Sequence, residues 1–192
     1  MGTRGLYGFR KNGVDKTTYN HYDSYPEYLG RNILEFIRNH GEKLNSIFDN
    51  IIMVNEDDIP TKEQIEECKE YCDTSVSEQK EEEWYCLLHK TQGDLEPYIN
   101  GLKYMTDSHE FIFDSLFCEY AYIINLDTNK LEFWVGFQKK PDETNRYGTE
   151  MYDNYYPCKL IKEYDLDMIM NNKELEIDYF VEDMEKEEKK DE

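Results

Sequence analysis

Tyr19-Asn20-His21-Tyr22-Asp23-Ser24-Tyr25-Pro26 is the densest polar and aromatic run in the chain. An imidazole and a carboxylate two residues apart point the same way if the strand carrying them continues. Asp23 is then placed to orient His21, and a base held by a carboxylate is the usual arrangement of an acid–base site. The same residues also suit a turn whose side chains satisfy loop backbone groups. Spacing alone leaves both readings open. Arg4, on a strand expected to pair with this one, is within reach of Asp23 across a hairpin. Such a pair is either structural or part of a bidentate clamp for an anionic ligand group. Asn20, Tyr22 and Tyr25 complete the cluster as ligand-facing or structural residues.

Other chemistries are poorly served. Cys68 and Cys72 lie one helical turn apart, but no Cys-x2-Cys or His-x3-His partner stands at zinc-site spacing. They read as structural thiols, and Cys118 and Cys158, at expected strand starts, read as core. No metal and no cofactor is therefore expected. Gly2, Gly5 and Gly8 lie along a strand, not between a strand and a helix, so they make no phosphate loop. Neither Gly-x-Ser-x-Gly nor His-Glu-x-x-His occurs.

The elements that must position the cluster follow from periodicity. Thr3 to Arg10 alternates loosely and runs into Asn12-Gly13, a strong hairpin signal, with Val14 to Asn20 as the returning strand. Tyr22 to Gly30 reads as a loop. Ile33, Leu34, Phe36 and Ile37 form one helical stripe ending at Gly41, and Leu44, Ile47, Phe48, Ile51 and Ile52 form a second. Thr61 and Gln64 are spaced as a capping box opening a third helix. Ser75 to Lys90 and Leu95 to Met105 read as a fourth and fifth. The period then drops to two. Tyr120, Tyr122, Ile124 and Leu126 share one strand face, Leu131, Phe133, Val135 and Phe137 the next, and Asp127 to Lys130 is the turn between them. A polar loop spans 139–157, and loops of that length are usually functional or mobile. Cys158 to Tyr164 is a last strand, followed by helical turns at Leu166 to Met170 and Leu175 to Met184. The expected architecture is α+β: an antiparallel sheet of about five strands, with a helical block packed on one face. One domain is expected over 1–184, made of a hairpin and loop (1–30), a helical block (31–108) and antiparallel strands (118–164). The charged tail 185–192 is expected to fray.

The net charge of -21 is unevenly placed. Residues 1–50 hold seven Lys/Arg and six Asp/Glu, whereas residues 51–110 hold five against sixteen and residues 111–192 ten against twenty-one. Such a surface repels nucleic acid and anionic membranes and attracts basic partners. Plain solubility explains the same acidity. No stretch approaches the roughly 18 apolar residues of a membrane span. The start lacks an apolar signal region, and the odd count of five cysteines argues against a disulfide framework. A cytoplasmic location is expected.

The opening Met1-Gly2-Thr3-Arg4-Gly5-Leu6, taken with Tyr19 to Pro26 and Leu29-Gly30, resembles small proteins of phages and bacterial mobile elements. The likeness is confined to the N-terminal part of the chain. It implies a phage-type accessory protein that acts on host machinery. The same segment is more weakly similar to the start of N-terminal-nucleophile hydrolases, with Asn20 to Asp23 in the place of their second-strand motif. Loss of Met1 exposes Gly2, which has no nucleophile, so Thr3 serves only if cleavage follows Gly2. Two functions follow as expectations. One is an inhibitor of a nucleic-acid-handling or CRISPR-like defence complex. Glu66, Glu67, Glu70, Glu81, Glu82 and Glu83 would present the nucleic-acid-mimicking face, and the partner would be a basic host protein or nucleoprotein. The alternative is a hydrolase or small-ligand binder using Thr3, Arg4, His21 and Asp23.

Overall fold

A computed structural model describes residues 2–76 and 80–191. Strands β1 (Gly5–Lys11) and β2 (Val14–Asn20) form the expected hairpin. Asn12 and Gly13 both take positive φ, 53° and 73°, as a twist-matched two-residue turn requires. Strands β5 (Tyr120–Asn125) and β6 (Lys130–Val135) form the second hairpin, and β7 (Lys159–Asp165) pairs with β6. The architecture is α+β, with a five-stranded, mostly antiparallel sheet in the order β2-β1-β5-β6-β7. One pairing departs from the expectation: β1 and β5 run parallel, Gly5 opposite Tyr120 and Phe9 opposite Ile124. A parallel partner needs a long crossover, and the block between the hairpins supplies it.

That block begins earlier than expected. Within the anticipated loop, Pro26–Gly30 forms a single π-helical turn that runs directly into α1 (Arg31–His40). Proline opens it, where a missing amide costs no hydrogen bond. Helix α2 (Leu44–Asn50) stops short of Ile52, which enters a short strand β3 (Ile52–Val54). The capping box of α3 (Lys62–Cys68) is formed: the Gln64 amide donates to Thr61 Oγ1 at 3.2 Å, and the Thr61 amide donates to Gln64 Oε1 at 2.8 Å.

Two expected helices are much shorter. Of Ser75 to Lys90, residues 77–79 lie outside the described residues, and the helix α4 is only Trp84–Leu87. Among the described residues just before it, 80–83 are all charged and bring no apolar stripe to bury, so nothing holds them helical. Glu81, Glu82 and Glu83 thus lie on a turn and bend instead of a helix face. Helix α5 (Glu96–Ile99) ends before Gly101, whose φ of 104° is incompatible with a helix, and Tyr104–Thr106 becomes β4, parallel to β3.

The helices cover one sheet face. Tyr7, Phe9, Tyr122, Ile124 and Phe133 pack there against Ile33, Leu34, Ile37 and Phe180. The opposite face has its own core of Leu6, Ile112, Ala121, Ile123, Trp134 and Cys158. The 139–157 loop lies over that face, with Tyr147 edge-on to Trp134 at 5.1 Å. Its anchor is ionic: the two terminal Arg146 guanidinium nitrogens, Nη1 and Nη2, each donate to the buried Glu132 carboxylate at 2.6 Å. Asn125 and the Trp134 indole also donate to Glu132, and Tyr147 hands the network on to Asp15 and Arg10.

Helix α6 (Leu166–Asn171) and helix α7 (Ile177–Asp191) close the core. The expected fraying of 185–192 is corrected up to Asp191. Tyr120 donates to Glu188, Lys159 pairs with Asp191, and Gln138 donates to Asp191 at 3.0 Å. The charges that suggested a solvated tail are ion-pair and hydrogen-bond partners for the sheet beneath. Glu192 lies outside the described residues.

Candidate functional site

Strand β2 ends at Asn20, and the chain leaves the sheet through a tightly bonded turn. Asn20 is buried; its side-chain amide donates to the Tyr22 carbonyl and to Ser24 Oγ, the latter at 2.9 Å. The Ser24 amide donates to the Thr3 carbonyl at 3.2 Å, and the Tyr122 hydroxyl donates to the Ser24 carbonyl at 2.9 Å. Thr3 is itself buried, at 3% exposure.

The turn separates the two residues that spacing had placed together. The strand has already ended at Asn20, and Asp23 turns the chain with φ 53°, so the alternation of faces fails. His21 is held instead by Tyr19, with hydroxyl and Nδ1 2.6 Å apart. Its backbone amide donates to Gln92 Oε1 at 3.1 Å. Arg4 does not pair with Asp23. Its guanidinium lies 5.0 Å from the centre of the Phe117 ring, and its amide donates to Glu119 at 3.3 Å. Tyr22 packs edge-on against His21 at 4.2 Å and Tyr25 leans on Tyr120 at 5.7 Å, both rings staying substantially exposed.

The electrostatics are those of a half-dry cluster. Desolvation lowers the His21 pKa, and the positive charge of Arg4 and the proximity of His89 lower it further. Desolvation raises the Tyr19 pKa, with Tyr85, Tyr22 and Glu56 adding to the rise and Arg4 opposing it. At neutral pH the phenol therefore keeps its proton and the imidazole is uncharged. A hydroxyl donating to Nδ1 satisfies this pairing and leaves the ring hydrogen on Nε2. Because the folded value lies below the unfolded one of about 6.5, the unfolded chain takes up this proton first. Stability falls as pH drops below that value. An NMR titration should give His21 a midpoint below about 6.5, raised by Arg4→Gln. A midpoint at or above the ordinary value would contradict this account.

Asp23, Asn20 and Tyr22 instead line a cavity of about 370 Å³ together with Asn32, His89 and Gln92. The turn carrying His89 and Gln92 is fixed by Tyr7, whose hydroxyl donates to the Thr91 carbonyl at 2.9 Å and accepts from the Gly93 amide at 3.0 Å. Gly93 has φ 76°. This second half of the cavity is absent from the sequence reading. Gln92-Gly93-Asp94 is a turn signal between two expected helices, but nothing local says that it meets Asn20. The cavity offers amides, an imidazole and a carboxylate, suited to hydrogen-bonding a small polar molecule. Among the described residues its lining includes no Ser, Thr, Cys or Lys to act as a nucleophile.

The six glutamates Glu66, Glu67, Glu70, Glu81, Glu82 and Glu83 are all exposed. Among the described residues only Glu66 of these has an ion-pair partner, Lys69 at 3.6 Å. No group of three or more His, Cys, Asp or Glu is arranged to hold a metal ion, and no helix is long and apolar enough to cross a membrane, again among the described residues. The chain matches no protein-family model, no curated protein and no solved structure.

Proposed function

We propose that this protein is an acidic, phage-type accessory protein that occupies the cationic surface of a nucleic-acid-handling host partner, such as a CRISPR-like defence complex. The observation behind this reading is the placement of its carboxylates. Residues 55–83 carry twelve Asp/Glu against three Lys, and among the described residues five of the six glutamates singled out above form no ion pair. An array of unpaired carboxylates on one excursion competes for the lysines and arginines that hold phosphates. Long-range attraction to such a groove sets both encounter rate and specificity.

The test is affinity capture from nuclease-treated host lysate, followed by elution with duplex DNA and with salt. A stoichiometric basic partner released by both, and not retained by Glu81→Lys/Glu82→Lys/Glu83→Lys, is the expected result. A partner indifferent to salt, to DNA and to the charge reversal would rule out mimicry.

A second reading has its own observation in the 370 Å³ cavity. Here the protein binds a small polar ligand between Asn20 and Gln92, and His89→Ala abolishes binding with little change in stability. Unfolding of that variant would mark the turn as structural.

A further inference from the structure

The segment after β3 and the 3-10 turn His109–Phe113 border another cavity, of about 630 Å³. Phe111, Phe113 and Tyr152 supply aromatic walls, and Asp107, His109 and Asp114 supply polar ones; among the described residues no Lys or Arg lines it. The carboxylate-held imidazole that spacing suggested for His21 is found here. Asp107 Oδ1 accepts from the His109 amide at 3.1 Å and lies 2.7 Å from His109 Nδ1. This pair sits at the rim, half exposed.

Asp114 differs from it. Its Oδ1 is fully buried and has no hydrogen-bond partner among the described residues. Burial raises the carboxyl's pKa; the amides of Phe117 and Leu116 and the charge of Arg4 pull it back only in part. Several shielded carboxylates elsewhere have their own cation: Glu132 has Arg146, Asp15 has Arg10 and Asp191 has Lys159. Arg4, the cation acting on Asp114 from within the chain, is committed to the Phe117 ring. The cavity thus gathers the carboxylates of Asp57, Asp107, Glu110 and Asp114 beside ring faces, with no cation of its own in the lining among the described residues.

We propose that this cavity binds an organic cation, a guanidinium or primary ammonium group on an aliphatic stem. The charged head lies among the lining carboxylates of Asp57, Asp107 and Asp114. The stem and the face of the head lie along Phe111, Phe113 and Tyr152, where ring faces attract cations and exclude water. A bare metal ion fits less well, because aromatic rings offer it no oxygen ligands. Asn55 and Asp57 also line this cavity, but the inference uses none of the six glutamates at 66–83 and survives the failure of that reading.

The same chemistry reaches the cavity either as a free small molecule or as a basic side chain of a protein. Calorimetric titration of the whole chain with agmatine, and separately with a capped Gly-Arg-Gly peptide, distinguishes them. Saturable one-to-one binding of agmatine assigns a free amine. Binding of the peptide alone assigns a protein side chain. Asp114→Asn, nearly isosteric, should weaken whichever binds at least tenfold, and Asp107→Asn several-fold. The second variant stands if the first does not fold. The uncharged analogue pentanamide should not bind. No saturable binding of either cation, or binding unchanged in both variants, overturns the proposal.

Discussion

Arg146→Ala is expected to lower the free energy of unfolding by about 3–5 kcal/mol, the usual cost of leaving a buried carboxylate without its cation. Glu132 is 1% exposed and faces the sheet's second core, so water cannot replace the guanidinium without disturbing Trp134 and Ile123. Two further losses accompany the charge. Arg146 stacks over Trp134 at 4.7 Å and over Tyr147 at 4.8 Å, and it donates to the Tyr147 hydroxyl. Asn125 and Trp134 still donate to Glu132 in the variant, which pulls the effect toward the lower end of the range. Urea denaturation at equilibrium measures it. Adding Glu132→Gln to the variant should recover part of the loss, because the stranded charge is gone. An Arg146→Ala protein within 1 kcal/mol of wild type would mean that the 139–157 loop is not fastened by this pair.

Phe180→Ala should cost a similar amount, about 3–5 kcal/mol. The ring is fully buried, edge-on to Tyr164 at 5.6 Å, and Val181 and Met184 flank it in the same core. Its loss opens a cavity between α7 and the sheet, where the polar clasps at Glu188 and Asp191 hold the backbone in place and limit collapse. Amide exchange along α7 should accelerate together with the loss of global stability. Tyr179, next in sequence but half exposed, provides the control: its truncation should fall within about 0.5 kcal/mol of wild type. Equal effects at 179 and 180 would mean that α7 is docked in a different rotation.

The sheet was the legible part of this sequence. Asn12-Gly13 and the alternation of Tyr120, Tyr122 and Ile124 are local signals with one physical solution, and both hairpins formed where expected. What escaped were features decided at a distance. The parallel pairing of Gly5 with Tyr120 depends on where a crossover returns, and no residue near either strand encodes it. Gly101 stood inside an apparent helical stripe, and its left-handed backbone outweighed the stripe. The candidate site was half legible. Its first-strand residues are conspicuous, yet reading His21 with Asp23 assumed an unbroken strand, and the strand ends at Asn20. The same pair of residue types at Asp107 and His109 lies in a segment with no strong periodicity to single it out.

The position of β1 between β2 and β5 sets a timetable for synthesis. The first hairpin leaves the ribosome with one long edge unpaired, and its neighbour β5 begins at Tyr120. At roughly 5–20 residues per second, that edge waits on the order of 5–20 seconds. For that interval it is a template for any extended chain nearby. The helices made meanwhile can shield its broad face, but only β5 can close its rim.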